Sequence, residues 1–97
     1  MSKLVNCKVI FKGTVQGVGF RYTVREISRM FSATGFSVTG YIKNLMNGDV
    51  ELRVEGDEDT IKEFIKEIQK EMEDYISETE TNWGEYKGEF KDFSIRF

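Results

Sequence analysis

The spacing of apolar residues changes abruptly across one short stretch, and that change constrains what the first part of the chain can fold into. Val5, Cys7, Val9 and Phe11 alternate with Asn6, Lys8 and Lys12, the pattern of a strand with one buried side; Ile10 on the polar face is an ordinary exception. From Phe20 onward the apolar residues recur as Phe20, Val24, Ile27 and Phe31, with Arg21, Arg25, Glu26 and Arg29 off the stripe, which is helical spacing. A strand therefore passes into a helix through Gly13-Thr14-Val15-Gln16-Gly17-Val18-Gly19, a connection holding three glycines. Glycine reaches positive φ and leaves no side chain over the amides. The N–H groups of such a loop can then point into one concavity, to which the helix N-terminus adds its partial positive charge. Arg21, in the first turn of the helix, can grip two oxygens of a tetrahedral dianion. The stretch reads as a phosphate cradle. The plain alternative is a tight turn that lets strand and helix pack closely, with Arg21 paired to a surface carboxylate.

Nucleotide-binding loops are excluded by spacing. A dinucleotide fingerprint needs a third glycine where this chain has Tyr22, and a P-loop needs Gly-Lys-Ser/Thr, which is absent. Beyond the cradle, helix one stops at Gly35, a residue suited to the left-handed position past a helix end. Phe36 to Asn44 is a second strand and Val50 to Glu55 a third, joined at Asn47-Gly48 by what reads as a two-residue type I′ hairpin. Helix two starts near Asp57, with Asp57, Glu58 and Asp59 at its electropositive end and Ile61, Phe64, Ile65, Ile68 and Met72 as its buried stripe. Tyr75 to Thr81 is β-prone but rich in glutamate, which predicts an edge strand; Trp83 to Gly88 reads as a loop, and Asp92 to Phe97 as a short last strand.

This order, βαββαβ plus a short C-terminal strand, predicts an α+β two-layer ferredoxin-like sandwich with two helices on one face of a mainly antiparallel sheet. If the first crossover is right-handed and the third strand lies between the first two, strands one and two are parallel. The cradle then neighbours Asn44, whose amide shares the face of Gly40 and Ile42. The alternative for Asn44 is a residue that merely starts the hairpin turn.

At 97 residues the chain is expected to be a single domain over 1–97. A net charge of −3, with Lys3, Lys8, Lys12 and Arg53 scattered among acids, argues against a nucleic-acid partner. No apolar run approaches the roughly 20 residues of a membrane span, and Met1 to Lys8 lacks a signal-peptide core, so a cytoplasmic monomer away from membranes is expected. Cys7 is the only cysteine and there is no histidine, so a zinc or iron-sulfur site is disfavoured and neither metal nor cofactor is expected. Cys7 shares a face with Val5 and Val9 and reads as a small buried hydrophobe.

Val15-Gln16-Gly17-Val18-Gly19-Phe20-Arg21 resembles the signature loop of acylphosphatases. Gly40-Tyr41-Ile42-Lys43-Asn44 with Asn47-Gly48 resembles that family's second motif, and Phe93 to Phe97 its C-terminus, so the likeness runs from about Leu4 to Phe97. Tyr41 stands where tryptophan is common and Asn47-Gly48 where Asp-Gly is common. The resemblance implies hydrolysis of small acyl phosphates to carboxylate and phosphate without a metal. It also implies the roles: the amides of Gln16, Gly17, Val18, Gly19 and Phe20, with Arg21, hold the phosphoryl oxygens, and Asn44 orients the attacking water. The residues themselves agree with that chemistry, since a site without a general base suits a phosphate whose leaving group is already good. Two other readings are a non-catalytic module that binds phosphate or an acyl phosphate, and a structural interaction domain, which leaves the cradle unexplained. Tyr41, Trp83 and Tyr86 are candidates for lining an acyl pocket but read more simply as packing.

Overall fold

The computed structural model describes residues 3–97; Met1 and Ser2 lie outside it. Its elements are β1 (Leu4–Gly13), α1 (Phe20–Ala33), β2 (Thr39–Asn44), β3 (Val50–Asp57), α2 (Glu58–Glu71), β4 (Ile76–Glu85) and β5 (Phe93–Arg96). The strands form one sheet in the order β4-β1-β3-β2-β5. β3 runs antiparallel to both β1 and β2, so β1 and β2 are parallel with β3 inserted between them, as the crossover argument predicts. β5 adds to β2 in parallel. The helix stripes of Phe20, Val24 and Ile27 and of Ile61, Phe64, Ile65 and Ile68 are buried against Val5, Cys7, Val9 and Phe11 of β1 and Val50, Leu52 and Val54 of β3. Phe64 lies edge-on to both Phe31 of α1 and Phe93 of β5, with ring centroids 5.6 and 5.7 Å away. Burial pushes the Cys7 thiol up to about 12, against a main-chain hydrogen bond from Asn82 that works the other way, so this cysteine is a core residue.

Three boundaries differ from the sequence reading. β4 continues through Trp83, Gly84 and Glu85, predicted as loop, because β1 offers ladder partners as far as Val5 and hydrogen bonding to that template outweighs the weak strand preference of glycine. β2 begins at Thr39 rather than Phe36, since α1 closes with Gly35 N–H donating to Ser32 and Phe36 N–H donating to Phe31, which holds Phe36 outside the sheet. The β2–β3 hairpin is longer than a two-residue turn: Gly48 N–H donates to Leu45 O at 3.2 Å and Leu45 N–H to Asp49 O at 2.8 Å. Only Gly48 of the Asn-Gly pair has positive φ; Asn47 acts through its side chain, whose Oδ1 accepts from Asp49 N–H at 3.0 Å.

The outer face of the sheet is not simply solvated. β4 and β5 are opposite edges, four strand spacings or about 19 Å apart. Glu85 to Phe93 can reach about 27 Å at most, so the connection has to take a direct path across the sheet, with no room for a helix. It crosses the outer face, and a segment there has no ladder to satisfy its amides. Glu55, on the central strand, supplies the acceptors: its carboxylate takes Lys87 N–H at 2.7 Å, Glu89 N–H at 3.1 Å and Asn6 Nδ2 at 3.0 Å. Asn6, expected on a solvated face, is buried by this crossing. Burial by itself would raise the Glu55 carboxyl, but the bonds from Asn6, Lys87, Glu89 and Gly88 outweigh it and hold the group below its usual value.

A depressed folded-state pKa stabilises the protein fully above the unfolded value, about 4.3, and that contribution is lost as pH falls through the folded value. Glu55→Gln is expected to cost about 1–3 kcal/mol in urea unfolding at neutral pH. The gap between variant and wild type should narrow in acid. An unchanged midpoint at neutral pH would show that the crossing does not depend on this carboxylate.

Candidate active site

The β1–α1 loop is anchored from below by its apolar residues. Val15 and Phe20 are buried, and the Phe20 ring lies 5.2 Å from that of Phe11. Gly17 and Gly19, both at φ 77°, turn the chain between these anchors in a conformation costly to any residue with a Cβ. Gly19 is also the N-cap of α1, so this helix has no side-chain cap and no acidic residue in its first turn. The first main-chain bond of the helix is Thr23 N–H to Gly19 O at 3.0 Å. Among the described residues, none of the main-chain N–H groups from Val15 to Tyr22 donates to a main-chain acceptor. α2 shows the contrast: its Asp57 side chain accepts from Thr60 N–H, and Glu58 and Asp59 fill its first turn.

A cavity of about 200 Å³ opens at this uncapped end, lined by Val15, Gly17, Gly19, Phe20, Arg21, Tyr22 and Asn44. Because β1 and β2 run in the same direction on either side of β3, Asn44, the last residue of β2, arrives at the cradle as the topology predicted. Among the described residues no side-chain hydrogen bond ties Asn44 to the β2–β3 turn, whose bonds are made by Leu45, Gly48, Asp49 and the Asn47 side chain. Arg21 has no carboxylate partner among the described residues. Its Nη1 donates to Arg96 O at 3.3 Å and its guanidinium lies 4.7 Å from the Phe97 ring centroid, so the end of β5 and the residue after it hold the side chain without neutralising it. Among the described residues this concavity combines open donors, one arginine and one primary amide with no carboxylate in its lining, an arrangement that can receive an anion.

Two features of the site go beyond the sequence expectation. The sequence points only to the main-chain amide of Gln16, yet its side-chain Nε2 donates to Leu45 O and Asp49 O, each at 2.8 Å, pinning the cradle to the turn beyond Asn44. Tyr22, which in sequence marks only a missing glycine, is an exposed aromatic at the cavity's edge; its place one residue past Arg21, off the buried stripe, is the available signal. Trp83 and Tyr86 instead line a cavity with Lys3, Leu4 and Val5 at the other end of β1, and Tyr41 faces the outer side of the sheet.

A family model described as Acylphosphatase matches residues 7–95. The chain belongs to the acylphosphatase family. An acylphosphatase of Caldanaerobacter subterraneus subsp. tengcongensis is 43% identical over 96 residues, covering 98% of this chain and 99% of that protein. Among solved structures, the acylphosphatase from Bacillus subtilis superposes with a TM-score of 0.81 over 96% of this chain and 99% of that one; at 24% identity it bears on the fold alone. The acylphosphatase from Coxiella burnetii, 30% identical, gives a TM-score of 0.69 over 96% of this chain and 93% of its own. The family's reaction, hydrolysis of the carboxyl–phosphoryl anhydride, is accordingly the reaction of this chain, and its substrate is a small acyl phosphate.

Because Gln16 bridges loop and hairpin through two donated bonds, Gln16→Ala should lower stability by about 1–3 kcal/mol. Gln16→Glu should cost more, since an acceptor would then face two carbonyl oxygens. Chemical unfolding of both variants checks the order, and a glutamate variant as stable as wild type would show that the bridge carries no weight.

Proposed function

We propose that the acylphosphatase reaction is carried by the cradle amides of Gln16, Gly17, Val18, Gly19 and Phe20 together with Arg21 and Asn44. The observation that carries this reading is the uncapped N-terminus of α1, whose first-turn N–H groups have no main-chain acceptor and open onto the cavity shared with Arg21 and Asn44. The phosphoryl oxygens of the substrate would take those donors, and the Arg21 fork would take two more lone pairs as charge builds on the transferring group. Asn44, at the strand end facing the cradle, would hold a water in line with the bond to be broken. Water oxygen bonds to phosphorus, the phosphorus–oxygen bond to the acyl group breaks, and its electron pair leaves with the carboxylate. The water's protons go to phosphate oxygens or solvent. A carboxylate leaving group needs little protonation, which suits a cavity without a side chain of general-base pKa; an alkoxide would need an acid that the lining does not offer. Tyr22, exposed and part of the lining, is an aromatic surface on which the acyl portion could rest.

Arg21→Lys keeps the charge but loses the bidentate fork, and a fall in kcat of about a hundredfold or more is expected with acetyl or benzoyl phosphate. Near-normal turnover would make Arg21 a structural residue. Asn44→Ala separates catalysis from binding: phosphate affinity should stay within a few fold while kcat falls by orders of magnitude. A folded Asn44→Ala protein with wild-type kcat would remove Asn44 from the mechanism and favour its reading as a turn residue. Since no carboxylate lines the cavity, chelators should leave the rate unchanged, and a loss restored by magnesium would overturn the metal-free scheme.

A further inference from the structure

Cations that sequence order scatters are gathered by the sheet. Strand register aligns Lys8, Arg53 and Tyr41 across β1, β3 and β2 on the outer face and sets Arg96 of β5 beside Lys43 of β2. Arg53, Arg96 and Tyr41 line a cavity of about 390 Å³ with Glu89 and Phe90 of the crossing segment. The carboxylates flanking Arg53 along β3 are already engaged. Glu51 accepts from Tyr41 Oη at 2.8 Å and faces Lys8 Nζ at 3.9 Å, while Glu55 is saturated by Asn6, Lys87 and Glu89. Glu89 stands exposed at the rim and forms no ion pair with either arginine. Among the described residues neither guanidinium has an ion-pair partner, and Arg53 Nε is buried without an acceptor, a condition that native structures rarely leave unexplained.

We propose that this cavity is a second anion site, for a phosphate group, on the face of the sheet opposite the helices and the catalytic cradle. Two planar forks converging on one polar cavity match the oxygens of a tetrahedral dianion better than a single carboxylate or halide. The Arg96 guanidinium lies 4.0 Å from the Tyr41 ring centroid and the Phe90 ring lies edge-on to Tyr41 at 5.8 Å, so the aromatic side chains here pack against one another and position the Arg96 fork. The recognised moiety is the phosphate itself, either as the free ion that the reaction releases or as the terminal group of a phosphomonoester.

Arginine Nε–Hε and main-chain amide resonances, followed by NMR during titration with inorganic phosphate and separately with AMP, test this. Wild type should show saturable shifts both at Gly17 and Gly19 and at the Arg53 and Arg96 side chains. In Arg21→Ala the cradle response should weaken while the Arg53 and Arg96 response persists with its own midpoint. Arg53→Gln should abolish the Arg96 response yet leave the cradle amides and acyl phosphate turnover as in wild type. Arg53→Lys, which retains charge, should weaken the outer site about tenfold. A response to phosphate alone assigns the free ion, and one to AMP as well assigns phosphomonoesters; either supports the site. Arg53 and Arg96 resonances that stay unmoved by both ligands, or an Arg96 response undiminished in Arg53→Gln, would overturn it.

Discussion

The crossing from β4 to β5 is the constraint on which the rest of the structure depends. The sheet places those strands at opposite edges, and the short segment between them has to cross the whole width of the sheet. Glu55 on the central strand holds the crossing at its midpoint by accepting from two of its amides, with Asn6 locking the carboxylate from β1. The crossing leads into β5, whose Arg96 carbonyl receives Arg21. A buried carboxylate on one face of the sheet is thus linked through main chain to the orientation of an arginine on the other.

The two helices show how one fold divides stability from function. Each has 14 residues and one buried stripe. α2 is closed at its N-terminus by Asp57 and two further acids, an arrangement worth roughly 1 kcal/mol. α1 forgoes that closure. Its cap is a glycine without a side chain, its first turn lacks acids, and its open amides face the cavity that Asn44 and Arg21 share. In the proposed site the missing cap is what leaves donors for an anion, because a carboxylate or hydroxyl of the chain's own would occupy them.

Charge shows how much is lost when a sequence is read only along its length. The net charge of −3 and the spacing of Lys8, Lys12 and Arg53 suggested no basic surface. Period-two alternation nevertheless puts all three on one side of the sheet, and pairing adds Lys43 and Arg96 beside them. Their acidic neighbours are consumed locally: Glu80 by Lys12, Glu51 by Tyr41 and Lys8, and Glu55 by the crossing.

Sequence by itself determined the parts governed by local chemistry. Alternation and helical stripes assigned the buried faces of β1, α1 and α2, and the positions of Gly17 and Gly19 marked a loop that only positive φ could close. The strand–helix–strand order, with β3 inserted, then placed Asn44 beside the cradle, because two co-directional strands end at the same edge of the sheet whatever their particular contacts. Tertiary structure alone decided the length of β4, where a partner strand overrode a glycine, and the burial of Asn6 and Glu55 under a connection whose sequence reads as featureless loop. It also decided the second role of Gln16. Its bonds to Leu45 and Asp49 span 29 and 33 residues, and no local pattern encodes which distant carbonyls an amide will meet once the sheet has formed.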